Sequence, residues 1–193
     1  ILVKLKLTPG LISAFYRMAF AFVILLPYVV IAKKFKLPKK KYVILASLCG
    51  ILFSSDVAVW NIAIQESSAT QASLLTNLSP LWVGIISYVF LKNKPATNCW
   101  IGTVVALFGM AMLVGFKFFL DLDFDNAFIL AVLSGVFYSI YLLVSKKALS
   151  GIDVLSFMTI SLFASTIYLA FICIIAGESF SGFSDMGWIV LVI

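Results

Sequence analysis

The 193 residues are 63% hydrophobic and only 11% charged, with a mean hydropathy of +1.16, against roughly 25% charged in an ordinary soluble domain. That balance excludes a soluble globular protein. The formal charge of +6 sits on lysines in short loops between apolar runs, which sets membrane topology rather than a polyanion-binding patch. Histidine is absent and Cys49, Cys99 and Cys173 show no CxxC spacing, so neither a disulfide framework nor a zinc site is indicated and no cofactor is expected.

The apolar runs reach the ~20 residues that cross a bilayer, and they are too long and unbroken for barrel strands. Backbone groups in lipid must be satisfied within the segment, so the expected fold is all-α, a polytopic helical membrane protein. The first span opens at Thr8-Pro9, a capping residue followed by a proline where a missing N–H costs nothing, and runs to Ala32. Tyr42 to Ile64, Ala69 to Leu91, Cys99 to Phe116, Asn126 to Ser145 and Asp153 to Ala176 form five more, and a seventh begins near Met186. The chain opens on Ile1 without a signal pattern and stops at WIVLVI, too short to cross, so the sequence reads as a piece of a longer protein.

Spans two and three are joined by a loop of about four residues, Gln65 to Ser68, a length that predicts an antiparallel, adjacent hairpin. Polar residues lie inside this otherwise apolar hairpin: Asn61, Gln71, Ser73, Asn77 and Ser79. Each needs a partner or water there. Two small-residue stripes predict close helix packing: Gly102, Ala106 and Gly109 on span four, and Ser73, Asn77, Pro80, Gly84 and Ser87 on span three.

Loops alternate sides, and their charge alternates with them. The loops 33–41, 92–98 and 146–152 carry ten lysines, whereas 65–68, 117–125 and 177–185 carry one lysine and six acids. By the positive-inside rule the lysine loops are cytoplasmic, although Lys4 and Lys6 then lie outside.

The stretch ATQASLLTNLSPLWVGIISYVFLKNKPATNCWIGTVVALFGMAMLVG, from Ala69 through Gly115, resembles the EamA-type permeases of the drug/metabolite transporter superfamily. Arg17, in SAFYRMAF, is similar to that family's arginine early in its second span. Asn93 departs from the glutamate often found in the family's cytoplasmic turn, so no role is carried over to it. The resemblance implies a ten-helix bundle of two inverted five-helix repeats. Residues 1–117 would then hold helices 2–5 of the first repeat, and 118–193 helices 6, 7 and the beginning of 8. Span six can be laid on span one independently of the family, and the flanking charge reverses between them.

At ~1.5 Å per residue, Arg17, Asp56 and Asn77 all lie about 12 Å below one membrane face. An ionised group at that depth is costly, so Arg17 either pairs with Asp56, faces a wet cavity or snorkels outward on its stem. With the family's central cavity in mind, the expected substrate-binding residues are Asp56, Trp60, Asn61, Asn77, Pro80, Ser134 and Tyr138, with Arg17 balancing charge. Trp60 is also shallow enough for an interfacial belt.

No nucleotide-binding loop appears, and no histidine, GxSxG or paired-aspartate motif supports an intramembrane enzyme. A non-catalytic assembly or channel subunit would show a continuous polar stripe. The expected function is a secondary permease for a small metabolite, amino acid or drug-like solute, often an exporter in this family. Its partners are then that solute and the lipid bilayer, not nucleic acid, with a proton coupled through Asp56 and a second copy of the chain as candidates.

Overall fold

The computed structural model describes residues 8–66, 78–90, 97–114, 126–183 and 185–192. Among them the regular structure is entirely helical: α1 (Gly10–Ile31), α2 (Lys40–Glu66), α3 (Ser79–Phe90), α4 (Thr97–Val114), α5 (Asn126–Leu149), α6 (Val154–Ile175) and α7 (Asp185–Val192). α1, α2, α5 and α6 are each long and apolar enough to cross a membrane. Their bounds lie within a few residues of the expected spans. Residues 67–77, which hold the second half of the expected loop and the first part of span three with Asn77, are outside the described residues, whereas Gln65 and Glu66 belong to α2.

The helix ends follow local chemistry. α6 begins at Asp153, whose side chain accepts the Ser156 N–H at 3.0 Å, one of the donors that a helix N-terminus leaves unsatisfied. α1 begins after Pro9 with no cap from its own side chains. Gln65 of α2 supplies it instead, accepting the Gly10 N–H at 3.0 Å and donating to the Thr8 carbonyl at 2.8 Å. Asn61, one turn earlier, donates to the Gly10 carbonyl at 3.0 Å. A Cβ on residue 10 would stand 3.1 Å from the backbone of Asn61 and Ile62, a tight contact that glycine avoids.

α1 and α6 end alike. Each is 22 residues long and is capped by an alanine. In each, the second residue after the cap bonds a carbonyl five residues back, Lys34 to Val29 and Glu178 to Cys173. The residue between is left-handed: Gly177 at φ 70°, and Lys33 at φ 50°. Glycine adopts this conformation freely, whereas a residue with a Cβ gives up roughly 1–2 kcal/mol.

α2 is the central helix. It packs along α5 on one side and α6 on the other, with α1 lying against α6 and α2. Of the described part of span three, Leu78 packs against the cluster of Ala63, Ile64 and Ala131, between α2 and α5, and α3 beyond it packs on α5 and touches α4. Small residues decide this. α5 presents Ala127, Ala131, Gly135 and Ser139, all buried, at four-residue spacing, and α2 and α3 share that helix as their neighbour. Ser139 donates to the Ser79 carbonyl at 3.0 Å, which fixes the start of α3 part-way down α5.

The α2–α6 seam is tighter. Ser161 donates to the Ala46 carbonyl at 2.9 Å and Ser165 to the Gly50 carbonyl at 2.8 Å. A Cβ on Gly50 would collide with the Ser161 carbonyl oxygen. By contrast, a Cβ at Gly102 or Gly109 would meet nothing within 4 Å, so the span-four stripe packs on nothing among the described residues.

Candidate functional site

Asp56 lies about 15 Å from the Glu66 end of α2, at ~1.5 Å per residue, and is 6% exposed. A carboxylate so placed needs donors, because water cannot supply them. Its partner is the fully buried Ser134 of α5, whose hydroxyl donates to Oδ1 at 2.5 Å. The neighbouring Ser55 turns to α6 and donates to the Tyr168 hydroxyl at 3.1 Å, and Ser54 closes on its own helix at Gly50. Three consecutive residues thus give α2 a polar station that meets α5 through Asp56 and α6 through Ser55.

Aromatic rings lie on the basic side of this station. Phe53 of α2 packs on Tyr141 of α5 with centroids 5.1 Å apart, and Tyr141 stacks on the half-buried Tyr138 at 5.9 Å. Toward the opposite end, Trp60 is half-buried against Ala63, Ile64 and Ala131. Asp56, Ser134 and Trp60 therefore belong to the α2–α5 seam, and Tyr138, one turn from Ser134 on α5, stacks on Tyr141, which packs on Phe53 of α2.

Other expected site residues are placed differently. Asn61 is fully buried and holds the start of α1; its Oδ1 has no hydrogen-bond partner among the described residues. Pro80 is exposed at the start of α3, and Asn77 lies outside the described residues. Arg17 is exposed on α1 and forms no ion pair with Asp56 among the described residues. The reason is rotational: the next residue, Met18, is the one that packs toward Ala58 and Leu169, which turns Arg17 away from α2 despite a matching depth.

Sequence reasoning passed over Gln65, assigned to a loop, and Gly50 with its serine partners Ser161 and Ser165. A signal for the latter was present. Ala46, Gly50 and Ser54 repeat at four-residue spacing, as do Ser161 and Ser165, the pattern by which membrane helices approach closely.

These features define a polytopic helical membrane protein with a polar station buried inside its bundle. The chain belongs to the EamA-like transporter family, whose model matches residues 2–115, within the drug/metabolite transporter superfamily. It is similar to the S-adenosylmethionine uptake transporter of Rickettsia bellii (strain RML369-C), 26% identical over 86% of this chain and 55% of that protein. It is also similar to the uncharacterized transporter YdfC of Bacillus subtilis (strain 168), 27% identical over 80% of this chain and 50% of that protein. The chain thus spans about half the length of these curated relatives. A crystal structure superposes on 98% of this chain and 65% of its own, with a TM-score of 0.68 and 16% identity, a likeness of fold alone.

Proposed function

We propose that the protein is a secondary carrier that moves a small organic solute across the cytoplasmic membrane by alternating access, with its solute site built around the α2–α5 seam. The observation that carries this reading is the buried Asp56–Ser134 pair. A carboxylate deep in a membrane bundle is expensive to keep, and its usual uses are solute or ion binding and proton relay. Trp60 and Tyr138 flank it with aromatic surface suited to an organic solute. Asp56 takes the solute's cationic group or a proton, and Ser134 orients the carboxylate; Asn77 and Pro80 complete the site from the neighbouring span. Arg17 plays no direct part in it.

The two-repeat architecture is supported by the matched ends of α1 and α6, which share length, capping residue and terminal hydrogen bonds. The opposite charge of their flanking loops fits an inverted relation. The lysine-bearing loops then face the cytoplasm. The Rickettsia relative is named for uptake of S-adenosylmethionine, a zwitterionic amino acid bearing a sulfonium cation, which makes cationic metabolites the first solutes to try.

The test is counterflow in proteoliposomes holding the full-length protein, with S-adenosylmethionine, amino acids and organic cations as the panel. Asp56→Asn is expected to lower transport at least tenfold while leaving the protein folded, and Tyr138→Ala to weaken apparent affinity. Unchanged counterflow in both variants removes this seam from the solute site. Loss of gradient-driven uptake with exchange intact in Asp56→Asn assigns the coupling proton to it.

A further inference from the structure

The matched ends of α1 and α6 carry a matched pair of contacts across the bundle. Lys36 is the fifth residue after Ile31, the last of α1, and Phe180 is the fifth after Ile175, the last of α6. Each reaches the other helix of the pair through its backbone. The Lys36 N–H donates at 3.0 Å to the hydroxyl of Ser156, in the first turn of α6. The Phe180 carbonyl accepts the hydroxyl of Tyr16, in α1, at 2.6 Å. The end of α1 thus lies at the start of α6, and the two contacts stand at opposite ends of the bundle, one among the lysine loops and one among the acidic ones.

On the acidic side, Tyr16 is the centre of an aromatic cluster. Its ring lies 5.4 Å from Trp188 of α7 and 5.1 Å from Phe15, whose own ring meets Phe180 edge-on at 5.4 Å. Phe180 stands between Gly177 at φ 70° and Gly182 at φ 92°, and a Cβ on either glycine would meet nothing within 4 Å. On the lysine side, Ser156 is fully buried and its N–H is already held by the Asp153 carboxylate, which leaves its hydroxyl for the loop. Between the two contacts runs the α2–α6 seam, where Ser161 and Ser165 bond the Ala46 and Gly50 carbonyls. These serines lie about 10–17 Å along α6, near its middle. Helices packed without room for a Cβ resist sliding, whereas a non-helical segment held by one hydrogen bond and a few ring edges opens at low cost. The bundle has a stiff middle and two softer ends.

We infer that these contacts are the two latches of a transport cycle: Tyr16 with Phe180 closes the acidic face, Lys36 with Ser156 closes the lysine face, and the bundle rocks about the α2–α6 seam by releasing one at a time. The inference rests on the carrier reading of the Asp56 seam and on α1 and α6 belonging to two repeats that move against each other. A contact that joins such repeats at one face must part when that face opens. Both are made in this structure, so both faces are latched. Releasing one leaves the other to hold the far face shut, which keeps the cycle from becoming a leak.

The experiment uses the full-length protein with its native cysteines replaced, in proteoliposomes, with S-adenosylmethionine counterflow as the readout. Phe15→Cys with Phe180→Cys, and separately Lys36→Cys with Ser156→Cys, are bridged by a short bis-methanethiosulfonate. Each bridge is expected to abolish counterflow, and reduction to restore it in the same vesicles. Counterflow that persists through either bridge, or a pair that does not bridge, overturns the latches and leaves the carrier reading standing. Absence of counterflow in the cysteine-free parent counts against the carrier reading instead, and a second measurement then decides the latches without a solute. With Tyr138→Cys as the single reporter, an impermeant maleimide is added to one face at a time. Tyr16→Phe should raise labelling from the acidic face, and Ser156→Ala from the lysine face, each about fivefold, the shift that the loss of one net hydrogen bond gives a two-state equilibrium. Labelling raised at both faces by one substitution, or at neither, overturns the proposal.

Discussion

At the scale of single residues, the structure turns on positions where a side chain would not fit. Gly50 is the strictest of those inside the bundle, because the obstacle to a Cβ is the Ser161 backbone carbonyl and not a side chain. Gly50→Ala should push α6 away from α2, weaken the Ser165 bond to the residue 50 carbonyl and destabilise the protein by about 1–3 kcal/mol, the usual range for overpacking. Thermal unfolding in detergent measures this; a melting temperature within a degree of the wild type would mean that the seam is looser than its geometry. Gly151 is the useful contrast. A Cβ there would meet the Tyr42 ring, a side chain packed on Ala46, Cys49 and Ala148 and not a backbone carbonyl. The same substitution at two glycines thus has two different costs, set by what stands opposite.

At the scale of helices, the spans were legible because a 20-residue apolar run in lipid has one low-energy backbone solution. Which helices touch was not. Loop length argues that span two and span three pair, and Leu78 does pack against the cluster of Ala63, Ile64 and Ala131; that length does not show that α2 and α3 also share α5, a helix more distant in sequence, as a neighbour. The contact faces lay in the small-residue repeats of Ala46–Gly50–Ser54 and Ala127–Ala131–Gly135–Ser139; the glycines of span four drew attention away from them. Depth along a helix could be counted, and it placed Asp56 correctly in the interior of its span. Rotation about the axis could not, which is why Arg17 matched Asp56 in depth and still faces outward. Gln65 shows a third limit, since a glutamine that caps another helix reads locally as loop. Helix ends also carry a pH dependence. The Ser156 N–H holds the Asp153 carboxyl below its ordinary range, with help from Lys36. A lowered carboxyl stabilises the folded state above the ordinary carboxylate pKa and loses that contribution as pH falls through the lowered value. Amide exchange at Ser156 and Phe157 should therefore accelerate below about pH 4, and Asp153→Ala should remove the step at a cost of about 1 kcal/mol. An unchanged exchange profile in Asp153→Ala would show that the cap contributes nothing to this end of α6.

At the scale of the whole molecule, the alternation of basic and acidic loops gives a topology that can be read chemically. In a cysteine-free background, Glu178→Cys should react with an impermeant maleimide in intact cells, and Lys36→Cys only after the membrane is opened. The reverse pattern would invert the protein. Such a bundle must also be assembled in order of synthesis, and the pairing of Asp56 with Ser134 spans 78 residues of chain. At ~5–20 residues per second, the second span waits about 4–16 s before its partner has been made. During that interval the aspartate stands in the membrane without the hydroxyl that later satisfies it, at roughly 2.5–3.5 kcal/mol if ionised. The insertion machinery has to shelter α2, or hold it at a wetter depth, until α5 arrives. A carboxylate that is satisfied in the finished bundle is thus a liability for several seconds of every protein's birth, and slow translation across residues 57–134 lengthens that interval.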